Sequence, residues 1–338
     1  MRQIIRMALV VSFVILLTVP VFATGAGEGL AGKPPAGPGD TIEFVCGYNP
    51  GGGSDIMLRS MEKAIRTHNI IPNPILYTYK PGATAGISLQ FTKTQAGRSD
   101  LALAVVSSLI LTPLQNDVGA KREDLTDLAN FGVQYFFIWA HKETAEREGW
   151  KTINDVLKSN RPVTITNHGA GSVEEIIGLY IKSRAPNTDI RLVPVAGDPE
   201  GVTQLLGKHI DLFINELAGG GIESYIASGE IVPLGCTGPQ RSVFVPDVPT
   251  FKELGHDFTI DSFRGVMGPP NMSKEALAWW QDIMKKINET DTWQEYLRAN
   301  GIEPMFQIGS DFSKYLDGFK EGMVRLFKMS NIPMVPNP

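Results

Sequence analysis

A glycine-rich turn between a strand-like run and a helical pattern occurs twice in this chain, and the repeat limits the folds available to it. The first turn spans 48–55 and is followed by a helical pattern that begins at Ile56. The second spans 167–172 and is followed by a helical pattern that begins at Val173. Aligned without a gap, Asn, two Gly and Ser recur at the same places in both turns. The repeat predicts one strand-turn-helix unit in each half of the chain.

Each predicted turn leads into the first turn of a helix, and this position has a distinctive chemistry. The first backbone N–H groups of a helix have no acceptor within the helix. The helix dipole adds about half a positive charge at the same end. Because such ends bind anions readily, two of them predict two lobes that hold one acidic molecule between them.

The order of elements around the turns predicts parallel sheets. Three strands alternate with helices in each half, in the same order, and the predicted strands are 41–46, 75–79, 101–106, 163–166, 190–195 and 210–214. Further glycine turns at 80–86 and 196–201 enter the intervening helices. This alternation is typical of an α/β fold, whose ligands bind at the carboxyl ends of the strands. We therefore predict two similar sheets that face each other.

The remaining patterns assign the other segments to these two lobes. Strands are predicted at 131–140 and 231–236, and helices at 153–157, 274–287, 292–299 and 310–327. The last three helices are expected to cover the first sheet, with their tryptophans in the core. Lobe one is predicted to comprise 40–125 and 240–338, and lobe two 126–239.

Composition bounds the class of protein. A chain of 338 residues that is 43% hydrophobic is long enough for two domains, each with its own core. The formal net charge is −5, and removal of Arg2 and Arg6 with a leader would make it −5 − 2 = −7. A chain with this net negative charge lacks the excess of basic residues that attracts nucleic acid or acidic lipid. We expect no nucleic-acid partner.

The N-terminal segment has the pattern of a secretory signal. Arg2 and Arg6 precede an apolar run at 7–19, and small residues follow up to Ala23. The apolar run is shorter than the roughly 20 residues that span a membrane. We predict a signal peptide at 1–23, a flexible spacer at 24–39 and an exported protein in the periplasm.

Motifs of enzyme chemistry were sought and are absent from the sequence. It lacks G-x-S-x-G, H-E-x-x-H and C-x-x-C, and Gly207-Lys208 is followed by His209 instead of the Ser or Thr of a P-loop. We predict no enzyme activity, no metal and no cofactor. Cys46 and Cys236 lie in apolar runs that favour buried free thiols, with a disulfide as the alternative.

Several short motifs occur in an order that resembles a known family. They are Pro50–Asp55, Lys80–Ala83 with Gly86, Gly169–Ser172, Val193-Pro194 with Gly197, Leu205–Gly207 with Asp211, Arg241, Asp247–Thr250 and Glu253–Gly255. Together they resemble the extracytoplasmic solute-binding proteins of tripartite tricarboxylate transporters, the Bug or TctC-like family, over nearly the whole mature chain.

This resemblance implies a type II periplasmic-binding-protein fold, with two α/β lobes joined by hinge strands and a small carboxylate held in the cleft. It also implies delivery of the ligand to a large and a small integral membrane subunit, and we expect a monomer. The predicted ligand-binding residues are Tyr48, Pro50, Gly51, Gly52, Gly53, Ser54, Asp55, Pro81, Gly82, Ala83, Ser107, Ser108, His168, Gly169, Ala170, Gly171, Ser172, Gly197, Asp198 and Glu216.

Acidic residues beside the second turn leave the ligand class open. The adjacent Glu174 and Glu175 are interpreted as first-turn residues that complement the helix dipole. A mono- or dicarboxylate fits the turns, and so does an amino acid whose ammonium meets Glu216 or Asp198.

Two other functions also fit the sequence. A periplasmic carboxylate-sensing subunit of a signalling system would have the same motifs. A secreted hydrolase would need Ser54 or Ser172 within hydrogen-bond reach of His168.

Overall fold

The structure is a computed structural model that describes residues 38–169, 172–218 and 221–336. The predicted signal peptide and most of the predicted spacer lie outside these residues. The strands in the described residues are β1 Ile42–Cys46, β2 Ile75–Tyr79, β3 Leu101–Val105, β4 Thr126–Tyr135, β5 Phe137–His141, β6 Val163–Asn167, β7 Ile190–Pro194, β8 Leu212–Asn215, β9 Ile231–Cys236, β10 Asp261–Gly268 and β11 Glu303–Ile308.

Helices connect and flank these strands. The α-helices are α1 Gly53–Thr67, α2 Gly86–Thr94, α3 Ser108–Gln115, α4 Lys142–Glu148, α5 Ile153–Val156, α6 Val173–Arg184, α7 Asp198–Leu206, α8 Ile222–Ser228, α9 Lys274–Asn288, α10 Asp291–Ala299 and α11 Gly309–Met329, with a short 3-10 helix at Arg122–Asp124. Among the helices described, none is long and apolar enough to cross a membrane.

The strands form two sheets of matching design. The first has the order β11-β4-β10-β3-β1-β2, and the second has the order β7-β6-β8-β5-β9. In each sheet three neighbouring strands are parallel, and the strand that follows them in the sheet order is antiparallel. The prediction of an α/β fold with two mixed sheets, each flanked by helices, is confirmed. The fold is the two-lobe, type II periplasmic-binding-protein fold.

The predicted strand at 131–140 is two strands in different sheets. β4 pairs with β10 and β11 in the first sheet, whereas β5 pairs with β8 and β9 in the second. The chain therefore crosses between the sheets at Phe136. The mostly apolar run, interrupted by Gln134, gives no local signal for this break, because the residues on both sides of Phe136 are buried.

The return crossing also differs from the predicted boundary. Residues before β10 still pack on the second sheet's helices: the rings of Phe258 and Tyr180 stack with centroids 4.1 Å apart, and Asn154 Nδ2 donates to the Leu254 carbonyl at 3.0 Å. We therefore propose that the lobes meet at Phe136 and near Ile260, instead of at 125 and 240.

One threonine ties the two crossings together. Thr237 is fully buried directly after β9. Its hydroxyl donates to the Ile260 carbonyl at 2.7 Å and accepts the Phe136 N–H at 3.1 Å. Its own N–H donates to the Phe136 carbonyl at 2.9 Å, and the Ile260 N–H donates to the Thr237 carbonyl at 3.1 Å. These four hydrogen bonds among Phe136, Thr237 and Ile260 hold the two crossing segments together.

The C-terminal helices cover the first sheet, as predicted. Trp280 of α9 is buried and lies 6.5 Å from the ring of Phe44 in β1. Phe312 of α11 packs edge-on against Phe263 of β10 at 6.2 Å. Cys46 and Cys236 are both buried free thiols, as the apolar patterns favoured.

Six elements were not predicted: the 3-10 helix at Arg122–Asp124, α3, α4, α8, β10 and β11. Three of them lack the usual periodicity. α3 is apolar on most sides and contains Pro113. β10 mixes the polar residues Asp261, Ser262 and Arg264 with apolar ones. β11 contains Pro304, which a strand tolerates at the edge of a sheet, where β11 lies.

Candidate functional site

The carboxyl ends of β1 and β3 carry the first group of polar side chains. The Tyr48 hydroxyl donates to Ser108 Oγ at 2.8 Å, which joins the end of β1 to the first residue of α3. Ser107 Oγ donates to Ser262 Oγ of β10 at 3.3 Å. Burial raises the pKa of Tyr48, and Glu174 of the second lobe raises it further. Tyr48 therefore lies near the second lobe.

The first glycine turn is shaped by an aspartate of its own helix. Asp55 is buried, and one of its oxygens accepts the Gly51 N–H at 2.8 Å while the other accepts the Tyr79 hydroxyl at 2.7 Å. Arg59 also donates to this carboxylate at 3.0 Å. Asp55 was predicted to contact the ligand, but these bonds occupy both of its oxygens, and we assign it a role in holding the turn.

The helix that follows still has an open N-terminus. Pro50 and Gly51 are exposed, as is Gly53, the first residue of α1. Ser54 is buried below them. Because α-helical geometry leaves the first N–H groups without intrahelical acceptors, the amides of Gly53 and Ser54 are the parts of this turn that can meet an anion.

Arg264 of β10 lies beside this turn and was missed by the sequence analysis. A Cβ on Gly53 would lie 3.7 Å from both terminal guanidinium nitrogens. The Arg264 Nε donates to Gln134 Oε1 at 2.6 Å, and Gln134 Nε2 donates to the Asn300 carbonyl at 2.8 Å. No local signal singles out Arg264, because Asp261 and Ser262 precede it in the same strand and make the segment mixed in polarity.

The second glycine turn contains a histidine between two carboxylates. His168 Nδ1 lies 3.3 Å from Glu174 Oε1, and its Nε2 lies 3.4 Å from Asp198 Oδ1. Ser172 Oγ caps α6 by accepting the N–H groups of Glu175 at 3.1 Å and of His168 at 3.3 Å. Ala170 and Gly171 lie outside the described residues.

The charges around His168 shift the pKa values of the group. Burial by itself would lower the pKa of His168, but the neighbouring carboxylates, first of all Glu174, raise it to about 9. Burial raises the pKa of Asp198, although His168 opposes the shift. The imidazole is therefore protonated at neutral pH.

A charged pair connects the two lobes. Arg264 Nη2 lies 3.6 Å from Glu216 Oε1 at the end of β8, and both side chains are largely buried. Burial raises the pKa of Glu216 to about 7, although Arg264 opposes the shift. The structure thus brings five of the groups discussed above close together: Gly53, Arg264, Glu216, His168 and Asp198.

The lysine-proline turn, whose Pro81, Gly82 and Ala83 were predicted to contact the ligand, lies against its own helix and the end of β1. The Lys80 N–H donates to the Cys46 carbonyl at 2.8 Å. Lys80 Nζ lies 4.7 Å from the centroid of the Phe91 ring in α2. Pro81, Gly82 and Ala83 are exposed. Glycine is favoured at position 82 by its φ of +122°, a backbone conformation that other residues rarely adopt.

The geometry does not fit a hydrolase. The Ser172 hydroxyl is a helix cap, and Ser54 is buried. The imidazole of His168 is held by two carboxylates and protonated at neutral pH, so it cannot act as the general base that a serine nucleophile needs. Within the described part of the chain, no cluster of His, Cys, Asp and Glu could hold a metal ion.

We expect the His168 ring to titrate near pH 9, well above the usual 6.5. The change Glu174→Gln removes the nearest carboxylate and should lower this pKa by at least one unit. NMR titration of the ring Cε1–H signals, assigned with a His168→Asn variant, measures both values. A wild-type midpoint at or below pH 6.5 would contradict the described ion pairs.

Comparison with known proteins gives a consistent result. Residues 59–329 match the family described as "Tripartite tricarboxylate transporter family receptor", TctC. The chain is 24% identical over 306 residues to the "UPF0065 protein in gbd 5'region" of Cupriavidus necator, which covers 87% of this chain and 90% of the relative. The family that matches is one of receptors, not enzymes.

Solved structures show the same fold. A TctC solute-binding protein from Polaromonas superposes with a TM-score of 0.70 at 20% identity, over 88% of this chain and all of that chain. A protein of Rhodopseudomonas palustris solved with adipate superposes with a TM-score of 0.72 at 16% identity, over 88% of this chain and 99% of that chain.

Proposed function

This chain belongs to the tripartite tricarboxylate transporter receptor family, and from this premise we propose its function. We propose an extracytoplasmic solute-binding protein that captures a small carboxylate or an amino acid in the cleft between its lobes. The protein, exported by its signal peptide, works in the periplasm as a monomer. It delivers the ligand to the large and small integral membrane subunits of a tripartite tricarboxylate-type transporter.

The observation that carries this proposal is the 3.6 Å contact between Arg264 of the first lobe and Glu216 of the second. Arg264 lies beside the first glycine turn, and Glu216 follows β8 next to β6, whose carboxyl end carries the second turn. The contact supports a site in which the two turns face across one cleft. The adipate in the Rhodopseudomonas palustris protein is consistent with a carboxylate in a cleft of this fold.

The amides of Gly53 and Ser54 and the guanidinium of Arg264 are the groups we propose for the carboxylate. Gly51, Gly52 and Pro50 shape the backbone around them, and Tyr48 and Ser108 line the adjacent wall. On the second lobe we propose Gly169, Ala170, Gly171 and Gly197 as backbone contacts. A Cβ on Gly52 would meet only the Asn49 carbonyl, at 3.4 Å, so a side chain there would extend into the cleft without disturbing the turn.

A ligand screen tests this function. Thermal unfolding of the mature protein is measured with mono-, di- and tricarboxylates and amino acids, and with neutral sugars as controls. A ligand at 100 times its Kd should stabilise the folded protein by about 2.7 kcal/mol. Stabilisation by a sugar and by none of the acids would contradict the proposal.

We expect the protein to become more compact when this ligand is bound. A ligand that contacts both lobes binds the closed form better, and it shifts the population by that difference in affinity. Small-angle X-ray scattering should show a smaller radius of gyration at saturation. The variant Gly52→Val, which places a side chain in the cleft, is the control and should show no change. Identical scattering curves of the wild type with and without ligand would contradict binding of the ligand by both lobes.

A further inference from the structure

The two lobes contribute groups of opposite charge to the cleft: positive groups come from the first lobe, and mainly negative groups come from the second. On the first lobe, Arg264 is oriented by its bond to Gln134, and its terminal nitrogens lie beside Gly53 at the start of α1. Both the guanidinium and the helix N-terminus favour a negative group. The first lobe therefore offers a carboxylate site.

The second lobe has an excess of negative groups. Its wall holds the three carboxylates of Glu174, Asp198 and Glu216, and the imidazolium of His168 lies between two of them. Glu174 is buried, and Glu216 is largely buried. Among the described residues, the positive group paired with Glu216 is Arg264, which comes from the other lobe.

We propose that the ligand carries a positively charged nitrogen as well as a carboxylate. Arg264 and the N-terminus of α1 bind the carboxylate, and Glu216 binds the nitrogen. This inference rests on the proposed function, because it concerns the same cleft. It selects an amino-carboxylate over a dicarboxylate and makes Glu216 a specificity-determining residue.

Counting acidic groups separates the two ligand classes. A dicarboxylate would place 3 + 2 = 5 carboxyl groups against the two cations His168 and Arg264, and Glu216 is already partly protonated at neutral pH because burial raises its pKa to about 7. A ligand with one carboxylate and one ammonium adds one charge of each sign. Such a ligand can replace both ends of the pair between Arg264 and Glu216: its carboxylate takes the place of Glu216, and its nitrogen takes the place of Arg264. Neither residue is then left buried without a partner.

A second observation points to a ligand at the same wall. Asn215 is fully buried directly before Glu216, and within the described residues neither its amide nitrogen nor its amide oxygen has a hydrogen-bond partner. Asn215 shares a face of β8 with Phe213, which lies against Gly201 of α7. Asn215 therefore projects toward the start of α7, where Asp198 lies.

Two more atoms at this place are unsatisfied. Asp198 Oδ1 and His168 Nε2 are shielded from solvent, and their 3.4 Å contact lacks hydrogen-bond geometry, so neither has a hydrogen-bond partner in the described part of the chain. Buried polar groups in native proteins are nearly always paired. An ammonium, with three donors, can serve the free oxygens of Asp198 and Asn215.

A matched series of ligands tests the inference. Calorimetry compares amino-carboxylates with dicarboxylates of the same chain length, such as 4-aminobutanoate with succinate and 5-aminopentanoate with glutarate, together with α-amino acids. In the wild type, the best amino-carboxylate should bind at least 10-fold tighter than its matched dicarboxylate. A dicarboxylate that binds equally well or better overturns the inference and leaves the proposed function standing. If no member of either series binds, the inference is wrong, and the proposed function is decided by the wider screen of mono-, di- and tricarboxylates.

Variants assign the preference to the proposed residue. Glu216→Gln should reduce the ratio of the two affinities at least 10-fold, mainly by weakening the amino-carboxylate. The control is Glu146→Gln, which removes an exposed carboxylate of α4. α4 follows β5, and because β5 runs antiparallel to β8, α4 begins beside the amino end of β8, away from Glu216. The control should leave the ratio unchanged. A ratio that survives Glu216→Gln in a folded variant overturns the assignment, and Asp198→Asn provides the same test if Glu216→Gln does not fold.

Discussion

The variant Arg264→Met is expected to bind the ligand at least about 30-fold more weakly than the wild type. Arg264 is held by Gln134 beside Gly53, so its terminal donors are already aimed at the start of α1. Removal of one partner from a buried, hydrogen-bonded charge pair costs about 2 to 5 kcal/mol, or roughly 30- to 5,000-fold in affinity. Calorimetry with the tightest ligand from the screen measures the loss.

The matched control for this variant is Lys80→Met, which also removes one positive charge from the first lobe. Lys80 lies over the Phe91 ring and not beside the turn at Gly53. We expect an affinity within about threefold of the wild type, because Lys80 is only half-buried and such a charge, with no ion-pair partner among the described residues, contributes less than about 1 kcal/mol. If both variants bind equally well, Arg264 does not contact the ligand, and the carboxylate site must lie elsewhere in the cleft.

The variant Thr237→Val is expected to destabilise the protein by about 2 to 4 kcal/mol, although valine has nearly the shape of threonine. The hydroxyl is fully buried and serves the Phe136 N–H and the Ile260 carbonyl. Each buried backbone group that loses its partner costs about 1 to 3 kcal/mol. Both losses fall on the segments that connect the lobes. Urea unfolding, followed by circular dichroism, measures the free energy of unfolding.

Thr237→Ser keeps the hydroxyl and removes only a methyl group, so it separates hydrogen bonding from packing. We expect the serine variant to lose about 1 kcal/mol. A valine variant as stable as the serine variant would show that the two hydroxyl bonds contribute nothing, and the crossings would then be held by the two backbone bonds and by packing.

The repeated units were predictable because their signals are local. The bounds of β2 and β9 match the predicted segments 75–79 and 231–236. Two signals depend only on residues that are neighbours in the sequence: a glycine turn before a helix, and an apolar run of strand length. Both signals recur in the two halves of the chain and predict the same parallel units in both sheets. The family resemblance rests on those same turns.

The chemistry of the first turn was only partly predictable. Its glycines indicate a helix N-terminus that can bind an anion, and α1 begins there. That Asp55 would bond to Gly51 and Tyr79 depends on where β2 lies beside α1. A carboxylate in a turn can equally serve a ligand or its own backbone, and only the neighbouring strand decides between these.

The amino-acid sequence by itself determined the α/β class, the order of units, the two turns and the family. Tertiary structure alone decided where the chain changes sheets, because the run through Phe136 is apolar on both sides of the crossing. It also decided that Arg264 and Glu216 meet. These residues are far apart in the chain, and their contact arises when two separately formed sheets turn their strand ends toward each other, which no local pattern encodes.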